Sequence, residues 1–261
     1  MPELPDVEVF RQYLGATALH KKIEDIEVKS PELLKEVSVS RLKQGVKNRS
    51  FESTRRHGKH LFVRLDNGRC LVLHFGMTGF LKYFKNPGKE PSHSRLVVHF
   101  SNGYHLAYDC QRKLGGIHLV RDLEPFISEK ELGPDALEEQ FDCDAFKRRL
   151  SGISGALKSA LMNQKVLAGI GNVYSDEILF QAGLNPKVKA KTLDKKTLRN
   201  LYKKMREVLN TAIQCHASPE KFPPHYLIPH RKDGTCPKCG TELAHEKVSG
   251  RTASFCPRCQ K

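Results

Sequence analysis

The spacing of apolar positions changes character once along this chain, and that change divides it. Near the start, Val7, Phe10 and Leu14 repeat at helical spacing, with Pro5 suited to a first turn and acidic Asp6 and Glu8 suited to its positive end. An amphipathic leading helix is expected there. Beyond it the apolar runs shorten to strand length. Residues 61–65 and 70–75 flank Asp66-Asn67-Gly68, residues 96–100 and 104–108 flank Asn102-Gly103, and 115–120 adds a further strand. Two hairpins and a fifth strand predict an antiparallel sandwich or barrel, with Pro87, Gly88 and Pro91 marking a basic loop within it. From about Ala145 the period becomes helical. The pattern predicts helices near 155–162, over 172–182 and over about 193–213. In the second, Asn172 is the expected cap, Tyr174, Ile178 and Ala182 share a face, and Gly183 with Pro186 ends it. In the third, Leu198, Leu201, Met205 and Leu209 form a core stripe and basic residues fill the solvated face.

The expected fold is therefore α+β. Residues 1–125 form an antiparallel β-sandwich with its leading helix, 126–144 a linker, 145–230 a helical domain and 231–261 a separate end piece. Composition adds a partner class. Lys and Arg number 44 against 29 acidic residues, a formal charge of +15 over 261 residues, which points to a polyanion. No basic amphipathic anchor, long apolar run or leader peptide argues for a membrane, so the expectation is an intracellular, cytoplasmic protein that acts on nucleic acid as a monomer.

Four constellations carry candidate chemistry. Cys236-Pro237-Lys238-Cys239 and Cys256-Pro257-Arg258-Cys259, separated by residues 240–255, have the spacing of a zinc ribbon. Four thiolates leave no open coordination position, so one structural Zn²⁺ is expected, with Arg251 on the hairpin between the knuckles. Gly169-Ile170-Gly171-Asn172 lacks the third glycine of a dinucleotide fingerprint. It reads either as backbone amides open to a phosphate beside Lys165, or as a tight turn packing two helices. His74-Phe75-Gly76-Met77-Thr78-Gly79 is a strand end breaking into a glycine-rich loop, whose Met77 is either core or an apolar wedge for a base stack. Lys59 and Arg112 add cations near strand ends. Finally, Pro2 becomes a free secondary amine if Met1 is removed, a plausible nucleophile beside the carboxylate of Glu3. An ordinary helix start is the competing reading of those residues.

Taken together and in order, these pieces resemble the formamidopyrimidine-DNA glycosylase and endonuclease VIII family, over residues 2–260 and on the formamidopyrimidine branch. The resemblance rests on Met1-Pro2-Glu3-Leu4-Pro5-Asp6-Val7-Glu8, Gly58-Lys59, the 74–79 loop, Arg112, Gly169–Asn172 with Ser175-Asp176-Glu177, and the terminal cysteine knuckles with Arg251. It implies that the helical domain is of the helix-two-turn-helix type and the end piece a four-cysteine zinc finger. It implies double-stranded DNA containing oxidised bases or abasic sites, bound between two lobes. The implied activity is that of a bifunctional DNA glycosylase and abasic-site lyase of base excision repair. Pro2 would attack C1′, Glu3 would assist sugar opening, and Lys59 and Glu177 would complete the catalytic set. His74, Lys165, Gly171, Asn172 and Arg251 would contact the backbone. Met77, Arg112 and Leu114 would fill the gap left by an extruded base.

Departures from the family pattern also carry expectations. Asp6 replaces a glutamate, one extra residue lies between Asp109 and Arg112, and Leu114 stands where relatives place phenylalanine. The 215–230 segment is short and proline-rich, which implies activity on formamidopyrimidines, oxidised pyrimidines and abasic sites more than on 8-oxoguanine. Two other readings remain: a non-catalytic binder of damaged or branched DNA, and a zinc-ribbon RNA-binding protein.

Overall fold

The computed structural model describes residues 1–231 and 234–261. Lys232 and Asp233, inside the span expected to form the end piece, lie outside the described residues. The chain divides into two compact units, Met1–Pro2 with Asp6–Lys130, and Glu3–Pro5 with Glu131–Lys261.

The first unit is a sandwich of two four-stranded antiparallel sheets. One joins β1 (Ile23–Val28), β6 (Ser94–Phe100), β7 (His105–Asp109) and β5 (Phe80–Phe84) in that order; the other joins β2 (Phe51–His57), β3 (His60–Leu65), β4 (Cys70–His74) and β8 (Gly116–Val120). Both expected hairpins form, pairing β3 with β4 across Asn67-Gly68 and β6 with β7 across Asn102-Gly103. Alternate side chains such as Ile26, Leu61, Val63, Leu73, Val98 and Leu106 turn inward to one core, as the period of two requires. Helix α1 (Leu4–Thr17) adds Val7 and Leu14 to that core, and Phe10 packs on Phe75 with ring centroids 4.6 Å apart. The short helices α2 (Val39–Val46) and α3 (Leu123–Glu129) complete the unit. The outer face of β3 and β4 is not left to water: Phe126 of α3 covers Phe62, Cys70 and Val72.

The second unit is helical, with α4 (Cys143–Ser151), α5 (Leu157–Met162), α6 (Asn172–Ala182) and α7 (Lys195–Gln214), followed by the hairpin of β9 (Ala244–Val248) and β10 (Arg251–Phe255). Asp142 and Asp194 cap α4 and α7 by accepting from the amides of Ala145 and Thr197, each at 2.7 Å. The expected stripe on α7 is buried, and Gly183 ends α6 in the left-handed conformation, φ 72°. Leu4 belongs to this unit's core, fully buried with Leu161, Ile170 and Ile178. The C-terminus returns to α6: Gln260 donates to the Leu184 carbonyl at 2.8 Å, and the Asn185 amide donates to the Lys261 carbonyl at 2.9 Å.

Candidate active site and DNA-contacting residues

The carboxylate of Glu3, in the second unit, is buried. Its Oε2 accepts from the amides of Gly171 at 2.7 Å and Tyr174 at 3.3 Å, and its Oε1 from Val173 at 2.9 Å. These are the orphan donors of the first turn of α6, so Glu3 acts as a cap delivered from the far end of the chain. This corrects two expectations. Gly171, not Asn172, is the residue preceding the helix, and it carries no side chain to cap it. The amides expected to await a phosphate are already held by Glu3, and the Gly169 amide donates to Gln164 Oε1 at 3.0 Å.

The two glycines have different reasons. Gly169 has φ +111°, a conformation L-residues rarely adopt, and its carbonyl accepts from the Leu4 amide at 3.0 Å. Gly171 has an ordinary extended backbone, but a Cβ there would lie 2.4 Å from Glu3 Cδ. Pro2, half-buried, is thus bonded to a residue fixed on both sides, by its own carboxylate and by Leu4.

Below Glu3 lies a buried ion pair that sequence reasoning missed. Lys158, in α5, is fully enclosed and donates to Asp176 Oδ1 at 2.5 Å, Ser175 Oγ at 3.0 Å and the Asn172 carbonyl at 3.2 Å. Asp176 Oδ2 accepts from Arg231 at 3.0 Å and from the Ser254 amide of β10 at 3.2 Å. Burial lowers the Lys158 pKa and raises that of Asp176, and their mutual attraction offsets part of each shift. The only advance signal was Ser175-Asp176-Glu177 itself; a lysine in a short helix reads as solvated.

Glu177, expected to support the site from the helical domain, is buried in α6. Its carboxylate accepts from the amides of Leu227 at 3.1 Å and Ile228 at 2.8 Å and from Gln181 at 2.8 Å. Burial pushes its pKa up to about 6, against the pull of those three donors. It anchors the 227–228 backbone. That segment walls an apolar recess of about 550 Å³, lined by Val173, Pro219, Glu220, Ile228, Pro229 and Arg231. Val173 is the residue whose amide holds Glu3.

Of the other expected contacts in this unit, Arg251 and Lys165 are exposed and Asn172 is half-buried. Arg251, at the start of β10, lines a small cavity of about 180 Å³ with Ser159, Met162, Asn163 and Ser249. Lys165 is exposed and ion-paired with Glu131. The Asn172 side-chain oxygen is enclosed without a hydrogen-bond partner.

In the first unit, Gly58 (φ 55°) turns β2 into β3 and presents Lys59 near His74. His74 pairs with His60 across β3 and β4, ring centroids 5.0 Å apart. Burial, then the charge of Lys59, holds the His74 pKa down to about 4, and burial with neighbouring histidines holds His60 down to about 3. Both are neutral at pH 7, so His74 can offer a phosphate a hydrogen bond but no charge. The loops of Met77 and Leu114 meet: a Cβ on Gly76 would lie 2.5 Å from the Leu114 carbonyl carbon, and the Arg112 amide donates to Thr78 Oγ1 at 3.2 Å. Met77 and Leu114 are 40% and 52% exposed, so neither is core.

The cysteine donor set fits the expected metal. The four Sγ atoms of Cys236, Cys239, Cys256 and Cys259 lie within 4.8 Å of one another, close to the edge lengths of a tetrahedron of thiolates around zinc. The cluster holds one structural Zn²⁺ and is packed against Phe180, Leu227 and Leu243. Among the described residues no helix is long and apolar enough to cross a membrane.

Comparison with known proteins agrees along the whole chain. Residues 1–117 match the formamidopyrimidine-DNA glycosylase N-terminal domain, 132–222 its helix-two-turn-helix domain, and 234–261 the zinc finger found in this glycosylase and in isoleucyl-tRNA synthetase. The formamidopyrimidine-DNA glycosylases of Pelotomaculum thermopropionicum and Bacillus subtilis are each 32% identical, covering 100% of this chain and 99% of their own. Among solved structures, the Lactococcus lactis enzyme bound to DNA containing an abasic site is similar with a TM-score of 0.88 at 27% identity, covering 99% of both chains. The same enzyme with a Fapy-dG-containing DNA gives a TM-score of 0.89 at 27% identity, covering 99% of this chain and 100% of that one. The chain belongs to the formamidopyrimidine-DNA glycosylase family.

Proposed function

We propose that this DNA-repair glycosylase removes oxidised bases through a Schiff base on Pro2 and then cleaves the strand by β,δ-elimination. The observation that carries the reading is the Glu3 carboxylate on the first turn of α6, 168 residues away in sequence. A simple DNA binder has no need to bury an acidic residue next to its terminus, whereas a terminal nucleophile must be held still.

With Met1 removed, the Pro2 amine attacks C1′ of the damaged nucleoside as the bond to the base breaks. The base leaves with the bonding pair and takes up a proton. The amine loses its proton, the C1′–O4′ bond opens with protonation of O4′, and a cationic iminium results, because a secondary amine has no second proton to lose. Glu3 sits beside this step and assists the opening. The iminium acidifies the C2′ proton; its loss expels the 3′ phosphate, a second elimination expels the 5′ phosphate, and water then hydrolyses the imine to free Pro2.

Lys59, His74, Lys165, Asn172 and Arg251 hold backbone phosphates, His74 through a neutral N–H. Asn172 would reach a phosphate through its side-chain N–H₂, since its oxygen only accepts. Met77, Arg112 and Leu114 occupy the space the base vacates. The apolar recess beside Val173 receives the extruded base. Its walls of Val173, Pro219, Ile228 and Pro229 offer no directional contacts beyond those of Glu220 and Arg231, which favours a broad range of lesions.

Duplexes carrying one formamidopyrimidine, one oxidised pyrimidine, one abasic site or one 8-oxoguanine test this together. Cleavage of the first three with slower release of 8-oxoguanine is expected. Strong preference for 8-oxoguanine would overturn the lesion range, and tight binding without any cleavage would overturn the enzyme reading in favour of a damaged-DNA binder.

A further inference from the structure

Among the described residues, four large apolar side chains stand exposed: Met1, Met77, Phe80 and Leu114. Three of them belong to the two adjoining loops of the first unit or to the strand that follows at once. Phe80, 38% exposed, is the one aromatic ring of the set, and the Met77 and Leu114 loops supply none. It opens β5, an edge strand, and pairs with Asp109 of β7, whose chain runs on to Arg112. Its backbone is therefore fixed by the ladder while its ring faces solvent. The next residue on that face, Lys82, is exposed and cationic, as are Arg112 and Lys113.

Aliphatic wedges fill a gap in a base stack, but they offer no flat face to the bases beside it. A ring does, and stacking on a base is insensitive to which base it is. We propose that Phe80 is a stacking platform for the duplex beside the Met77 and Leu114 wedge, positioning the strand next to the extruded nucleotide, with Lys82 on a flanking phosphate. This rests on the DNA-glycosylase reading above and adds a positioning residue to it.

The test uses a duplex with one abasic site analogue and 2-aminopurine on either side of it. Wild-type protein is expected to change the probe's fluorescence. Phe80→Leu, which keeps an apolar side chain without a ring, is expected to lose most of that change and to bind about tenfold more weakly. Phe80→Tyr is expected to retain both, and equal thermal midpoints for all three show that folding is intact. Wild-type fluorescence and affinity in Phe80→Leu would overturn the proposal. The parent reading fails separately: a wild-type protein that forms no borohydride adduct with an abasic duplex loses the enzyme assignment, whereas the fluorescence still reports stacking.

Discussion

At the scale of single residues, the site depends on one methyl group's worth of space. Gly171 needs no unusual backbone, yet an added Cβ would fall 2.4 Å from Glu3 Cδ, so the carboxylate would have to leave the α6 amides. Gly171→Ala is expected to destabilise the protein by about 3 kcal/mol, through lost charge-assisted hydrogen bonds and buried amides left unpaired. It should slow adduct formation at Pro2 by more than tenfold; thermal unfolding and single-turnover trapping measure the two effects. Unchanged rates would show that Glu3 does not hold the terminus. The glycine pair stood out in the sequence, but its partner did not. A Gly-x-Gly before a helix is compatible with a phosphate, a turn or a carboxylate, and local pattern says nothing about residues at the opposite end of the chain. Lys158 was hidden for the same reason: its burial is set by Asp176 on another helix, not by its own neighbours in sequence.

At the scale of elements, legibility followed locality. The β3–β4 and β6–β7 hairpins announced themselves through Asn-Gly turns, and α6 through its stripe and terminal glycine, because each signal lies within a few residues. Strand β2, Phe-Glu-Ser-Thr-Arg-Arg-His, had no alternation to read: only its two ends are buried, and its pairing with β3 makes it a strand. Helix α3 runs into the span whose charge pattern predicts a linker, though Phe126 roofs a small apolar cluster on the outer sheet face. That roof also touches the histidines, with ring centroids 5.5 Å from His60 and 5.0 Å from His118. His60 and His74 titrate at about 3 and about 4 in the folded protein, below the ordinary 6.5. Between those limits the unfolded chain binds protons that the folded chain refuses, so stability is full above pH 6.5 and falls as pH drops through this window. Thermal midpoints recorded from pH 8 to pH 4 should fall below pH 6.5, with a shallower fall in His60→Leu. Equal slopes in the two proteins would contradict the role given to His60.

At the scale of the whole molecule, the first five residues are divided between the two units, with Met1 and Pro2 in one and Glu3, Leu4 and Pro5 in the other. The order of motifs along the chain carried the family assignment, because Pro2, the Met77 loop, Gly169–Asn172 and the cysteine knuckles are spread over all three matched domains. What the order could not carry was the surroundings of Glu177, whose carboxylate accepts from the Leu227 and Ile228 amides. The central claim is that the terminal imino group is the nucleophile. Borohydride reduction during reaction with a duplex containing one abasic site, followed by peptide mass spectrometry, tests it most directly. The account predicts a covalent adduct on Pro2 with Met1 absent. An adduct on Lys59 in its place, or no adduct despite tight binding, would contradict it.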